Sequence, residues 1–106
     1  MDKIRILLAC GSGASSGFMA QKMRKVAIKK GIEARIEARS DSEIENYLDD
    51  IDLLLLGPHL KYLEAEYQEQ AKVYNVPVAC ISQEAYGVLD GEKALEEALE
   101  IIKRSK

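Results

Sequence analysis

The chain has 106 residues, 47% of them hydrophobic and 31% charged, the balance of a globular domain with one modest core. Fifteen Lys and Arg against eighteen Asp and Glu leave a net charge of −3 at pH 7, which argues against non-specific nucleic-acid binding. Apolar runs such as Leu53 to Leu56 fall far short of the roughly 20 residues that a membrane span needs.

Met1-Asp2-Lys3 leads straight into a strand-like run, so no signal peptide is expected. Two cysteines without extracellular marks point to a reducing cytoplasm rather than a disulfide scaffold. Ile4 to Ala9 is short and apolar, suited to a buried strand. Cys10 to Gly17 holds three glycines and three serines and is expected to be a loop. Met19, Met23, Val26 and Ala27 then share one face of a helix over 18–30, which Gly31 ends. Ile32 to Ala38 reads as an edge strand. Ser40 and Glu43 have capping-box spacing, and Ile44, Tyr47, Leu48 and Ile51 form a short helical stripe behind them.

Asp52 to Gly57 is the most apolar run and predicts the central strand. Pro58 suits a helix start. A helix over 59–74 would bury Leu60, Leu63, Tyr67, Ala71 and Tyr74, and Val76 to Ile81 is a fourth strand. Ser82 to Gly91 reads as a longer loop. Asp90 caps a last helix with Leu95, Ala98, Leu99 and Ile102 inward.

This alternation predicts an α/β fold: one domain over 1–106, with a four-stranded parallel sheet in the order 2-1-3-4 and helices on both faces. Ligands in such sheets bind beyond the carboxyl ends of the strands where the order switches, here between strands one and three. The loops starting at Cys10 and at Gly57 are then neighbours.

A glycine- and serine-rich turn between a first strand and its helix aims backbone N–H groups inward, beside the positive end of the helix dipole. This is an anion site of the flavodoxin-like or phosphatase-like kind, and phosphate is its common occupant. The same field favours a thiolate, which makes Cys10 a candidate nucleophile. Cys80, inside an apolar strand, is read as packing.

A nucleotide-triphosphate loop needs Gly-Lys-Ser/Thr, yet no Lys follows Gly13 until Lys22. The dinucleotide pattern is missed by one residue, since its third glycine falls at Gly17 instead of Ser16. Low-molecular-weight tyrosine phosphatases place an arginine where Ser16 stands and take their general acid from an Asp-Pro pair that this chain lacks. Without those groups, a phosphoryl group on Cys10 would be cradled but not efficiently hydrolysed.

At this point the residues resemble the phosphotransferase-system enzyme IIB proteins of the lactose and cellobiose (chitobiose) class. The resemblance runs nearly end to end: Lys3 to Cys10, Gly13 with Ser15-Ser16, Lys22-Met23, Leu56-Gly57-Pro58 with Tyr62, and Tyr86-Gly87 before Asp90-Gly91. Cys10-Gly11-Ser12-Gly13 is also similar to galactitol-type IIB proteins. The resemblance implies a phosphocysteine at Cys10, a phosphohistidine donor on a helical IIA protein, and a sugar presented by a membrane IIC permease. The phosphate-binding set would be Gly11, Ser12, Gly13, Ala14, Ser15, Ser16 and Gly17. A soluble, cytoplasmic monomer with transient partner contacts is expected, without cofactor.

Other residues are weighed against plainer roles. His59 is either a phosphate- or partner-orienting group or an exposed first-turn residue. Tyr86 either borders the phosphate site or packs its loop. The basic run Lys22, Arg24, Lys25, Lys29 and Lys30 either meets an acidic partner or is a solvated face, and Glu64, Glu66 and Glu69 read as solvated. No grouping has metal-ligand spacing, so no metal is expected. The competing functions are a phosphatase-like or arsenate-reductase-like thiol enzyme and a non-catalytic anion-binding module.

Overall fold

The structure, a computed structural model, describes residues 3–10 and 15–104. Four parallel strands form one sheet in the order β2-β1-β3-β4, as the alternation requires. They are β1 (Ile4–Cys10), β2 (Ala34–Ser40), β3 (Leu53–Leu56) and β4 (Val78–Cys80). All four residues of β3 are buried, because strand alternation sends them to two faces that are both covered.

On one face Ile6, Leu8, Ile36, Leu53 and Leu55 pack against α1 (Ser15–Lys29) and α4 (Gly91–Arg104). Met19, Met23 and Ala27 carry the α1 side of that layer, and Leu95, Ala98 and Ile102 the α4 side. On the other face Leu7, Ala9, Leu54 and Leu56 pack against Ile44, Leu48, Leu60 and Ala71, the last on α2 (Glu64–Lys72). Each fully buried Leu or Ile contributes on the order of 1.5–3 kcal/mol relative to exposure. No helix among the described residues is long and apolar enough to cross a membrane.

Several boundaries differ from the sequence reading. The helix after β1 begins at Ser15, three residues early, so Ser15, Ser16 and Gly17 form its first turn rather than loop. Strand β2 begins two residues late, because the Ile32 N–H donates to the Ala27 carbonyl at 2.8 Å and holds the chain to the end of α1. Gly31 turns there with φ +71°, a conformation that glycine adopts without penalty.

The expected helix behind Ser40 is two 3₁₀ segments, Asp41–Asn46 and Leu48–Asp50. Ser40 caps the first, its side chain accepting from the Ser42 N–H. Asp, Ser and Asn compete for backbone hydrogen bonds and weaken α-helix there. The helix expected over 59–74 opens as a 3₁₀ segment, Pro58–Leu63, and ends at Lys72, which leaves Tyr74 49% exposed instead of buried. The loop expected from Ser82 to Gly91 contains a short helix, α3 (Gln83–Gly87), capped by the Ser82 hydroxyl. Asp90 does cap α4, accepting from the Lys93 N–H at 3.0 Å.

Candidate functional site

The register aligns the carboxyl ends of all four strands. Cys10 is the partner of Ser40 on β2, Ala9 of Leu56 on β3, and Leu56 of Cys80 on β4. Beyond β3 the Gly57 N–H donates to the Ala9 carbonyl at 2.9 Å, which makes the exits of β1 and β3 neighbours. Past these ends the chain opens α1 at Ser15, a 3₁₀ segment at Asp41, another at Pro58, and α3 at Gln83. The first turn of a helix carries unsatisfied N–H groups and partial positive charge. The fifteen-residue α1 supplies the main field of this kind, with Ser15, Ser16 and Gly17 in its first turn.

Cys10 therefore closes β1 at the order switch, where doubly wound sheets hold their ligands. Of the residues expected to bind phosphate, Gly11, Ser12, Gly13 and Ala14 lie outside the described residues, while Ser15, Ser16 and Gly17 open α1.

Arg39, beside Ala9 in register, does not stand in for a phosphatase arginine. Its Nε donates to the Tyr47 hydroxyl at 3.0 Å and its Nη1 to the Ala38 carbonyl at 2.9 Å, with the guanidinium 5.7 Å from the Tyr47 ring centre.

His59 is exposed in the first turn after β3, and Tyr86 sits on α3, half-buried against the α1–α4 core. Their rings meet edge to face, 5.9 Å between centroids, an arrangement favoured by the aromatic quadrupole. A cleft of about 360 Å³ lies between Pro58, His59, Gln83, Tyr86 and Gly87. Tyr86 packs α3 down and walls this cleft at the strand ends.

Cys80 is half-buried rather than sealed in the core. Burial pushes its thiol pKa up, and the nearby Glu64 carboxylate pushes it further. Glu64 is half-buried, whereas Glu66 and Glu69 are exposed as expected. Two of the basic residues near α1 are engaged by the chain itself: Arg24 Nε donates to the Ile36 carbonyl at 2.7 Å, and Lys30 Nζ lies 3.7 Å from both Glu92 and Glu96. Lys22, Lys25 and Lys29 are exposed.

Residues 5–97 match the family model of the PTS system, lactose/cellobiose-specific IIB subunit. The oligo-beta-mannoside-specific EIIB component of Bacillus subtilis is 39% identical over 98 residues, covering 92% of this chain and 95% of that protein. The solution structure of the cellobiose-specific IIB component of Borrelia burgdorferi superposes with a TM-score of 0.80 at 30% identity, over 99% of this chain and 96% of the other. The lactose-specific IIB domain of Streptococcus pneumoniae has the same fold, with a TM-score of 0.86 at 18% identity over 94% and 98% of the two chains. The chain belongs to the lactose/cellobiose-specific IIB family of the sugar phosphotransferase system. Membership makes it a phosphotransferase-system component of sugar transport, in keeping with the resemblance drawn from its motifs.

Proposed function

We propose that this chain is a phosphoryl carrier that takes a phosphoryl group onto Cys10 and passes it to a sugar. The observation that carries the reading is the position of Cys10, last in β1 and at the order switch, five residues before the start of a long helix. The donor is the phosphohistidine of a IIA protein, and the acceptor is a sugar hydroxyl held by a membrane IIC permease. Residues 1–106 act as one IIB unit in the cytoplasm.

In the first half-reaction the Cys10 thiolate attacks phosphorus in line. The P–S bond forms, the P–N bond breaks, and the donor imidazole, already carrying a proton on its other ring nitrogen, leaves as the neutral ring. In the second, the sugar oxygen attacks phosphorus, the P–S bond breaks, and the thiolate returns while the sugar hydroxyl releases its proton to solvent. Backbone amides from Gly11 to Gly17, with the Ser12, Ser15 and Ser16 hydroxyls, hold the phosphoryl oxygens. Arg39 is engaged with the Tyr47 hydroxyl and Ser16 stands where a phosphatase has its arginine, which supports transfer over hydrolysis. The sugar is a β-linked disaccharide of the cellobiose, chitobiose or lactose kind.

The test is a phosphorus NMR spectrum after incubation with phosphorylated IIA. An acid-labile phosphothiol signal that is absent from Cys10→Ser is the expected result. Failure of the wild-type chain to take up phosphate, or normal transfer by Cys10→Ser, overturns the reading. Release of phosphate from an aryl phosphate replaces it with a thiol phosphatase.

A further inference from the structure

The transfer chemistry leaves the cleft between His59 and Tyr86 without a role. Its walls come from two turns at the carboxyl ends of the strands. Pro58 and His59 follow β3, while Gln83, Tyr86 and Gly87 belong to α3, beyond β4. The Gly57 N–H on the Ala9 carbonyl and the Ile81 N–H on the Leu56 carbonyl tie both turns to the strand ends. Neighbouring strands lie about 4.8 Å apart, so a cleft between the exits of β3 and β4 stands roughly 5–10 Å to the side of β1, the strand that ends in Cys10.

The lining is selective. Among the described residues it contains no Asp, Glu, Lys or Arg. Glu84, the carboxylate of α3, is instead paired with Lys93 on α4 at 2.9 Å. A second phosphate would want a guanidinium or ammonium group there. What the cleft offers is apolar surface edged by polar atoms. The Tyr86 ring and Pro58 suit C–H groups, and the exposed Gln83 carboxamide can both donate and accept. A pyranose has the matching character: C–H faces within a rim of hydroxyls that donate and accept. The volume of about 360 Å³ is at the low end of the roughly 300–1,000 Å³ typical of small-molecule sites.

We propose that this cleft is a sugar subsite. While one ring of the acceptor takes the phosphoryl group from Cys10, the neighbouring ring rests on Tyr86 and Pro58 and exchanges hydrogen bonds with Gln83. The sideways offset from β1 is about the length of one pyranose unit, which places the second ring of a disaccharide over the cleft. This inference rests on the carrier reading and deepens it: the chain itself, and not only the permease, contributes to the choice of a disaccharide.

The experiment is a heteronuclear NMR titration of the isotope-labelled chain with cellobiose. The amides of His59, Tyr86 and Gly87 are expected to shift together and to saturate with a dissociation constant of about 1–20 mM. Glycerol at the same hydroxyl concentration leaves them in place. Gln83→Ala weakens binding by about threefold or more through lost hydrogen bonds, and Tyr86→Ala by about tenfold. A Cβ at Gly87 meets nothing within 4 Å, so Gly87→Leu adds bulk at the cleft without a clash at Cβ and is expected to weaken binding as well. No shift up to about 100 mM cellobiose, or a shift that glycerol reproduces, overturns the proposal. So does unchanged affinity in both Gln83→Ala and Gly87→Leu, which decide the matter should Tyr86→Ala fail to fold by circular dichroism. Shifts at the cleft with a IIA donor but none with cellobiose assign it to a partner side chain and also overturn the proposal. The titration needs no phosphoryl group. Sugar binding by a chain that takes up no phosphate refutes the carrier reading, and phosphate uptake without sugar binding refutes this one.

Discussion

The Gly57 N–H donates to the Ala9 carbonyl at 2.9 Å, so the exits of β1 and β3 are tied together one residue before Cys10. An equivalent bond ties the next exit, from the Ile81 N–H to the Leu56 carbonyl at 2.8 Å. These bonds carry the sheet ladder past the last paired residues. The turns that leave β3 and β4, which hold His59 and Tyr86, are therefore fixed relative to the end of β1.

Helices α1 and α4 approach closely where Gly91 opens α4. A Cβ on Gly91 would lie 2.7 Å from the Lys22 carbonyl carbon and Cβ and 2.9 Å from its oxygen. These are mostly backbone atoms that cannot swing aside. Gly91→Ala is expected to cost about 1–3 kcal/mol by forcing the helices apart. The midpoint of urea denaturation reads the loss, and an unchanged midpoint would show that the helices separate freely.

Ser82 joins three elements. Its hydroxyl accepts from the Ala85 N–H at 3.2 Å and donates to Glu97 Oε2 at 2.8 Å, while its own N–H donates to Glu97 Oε1 at 3.2 Å. Ser82→Ala removes the α3 cap and one bond to α4, at about 1–2 kcal/mol. Hydrogen exchange of the Ala85 and Tyr86 amides should quicken more than that of the β1 amides.

Asp50 and Asp52 both reach Arg5, but unequally. Asp52 Oδ2 accepts from the Arg5 backbone N–H at 2.8 Å and lies 3.5 Å from its Nε, whereas Asp50 Oδ1 meets Nη1 at 2.9 Å from a more exposed site. Asp52→Ala is expected to cost about 1 kcal/mol, chiefly for the orphaned strand N–H. Asp50→Ala should cost less than about 0.5 kcal/mol, since exposed ion pairs are largely screened. Urea melts of the two variants check the order.

The two cysteines should separate by reactivity. Burial, then Glu64, raises the Cys80 pKa, so its thiolate appears only above the ordinary thiol range. Alkylation at pH 7 is expected at Cys10 first, by about tenfold or more. The preference should narrow as the pH rises through the Cys80 midpoint. Because that pKa is raised on folding, the associated stability is complete below the unfolded thiol range and is lost as the pH climbs through the folded value. Cys80→Ala should flatten this alkaline decline in thermal melting.

The strand order was legible because the two most apolar runs, Ile4 to Ala9 and Leu53 to Leu56, demand the central places. The caps at Asp90 and Ser40 were legible from residue type alone. What escaped was short or mixed in period. Gln83–Gly87 is one turn long, too brief for any stripe to show, and its signal was the Ser82 cap. Ile44, Tyr47, Leu48 and Ile51 fit spacings of three and four alike, so their pattern does not separate 3₁₀ from α-helix. At the candidate site the thiol was plain from the sequence, but Ser40 was visible only as a cap. Its pairing with Cys10 depends on a register between strands thirty residues apart, which no local pattern encodes.

Strand β2 lies at the margin of the sheet and presents Arg35, Glu37 and Arg39 along one side, with Glu37 3.3 Å from Arg35 and 3.8 Å from Arg39. A second molecule that tried to extend the sheet there would have to strip water from this charged row. The margin thus disfavours the joining of sheets from one copy to the next.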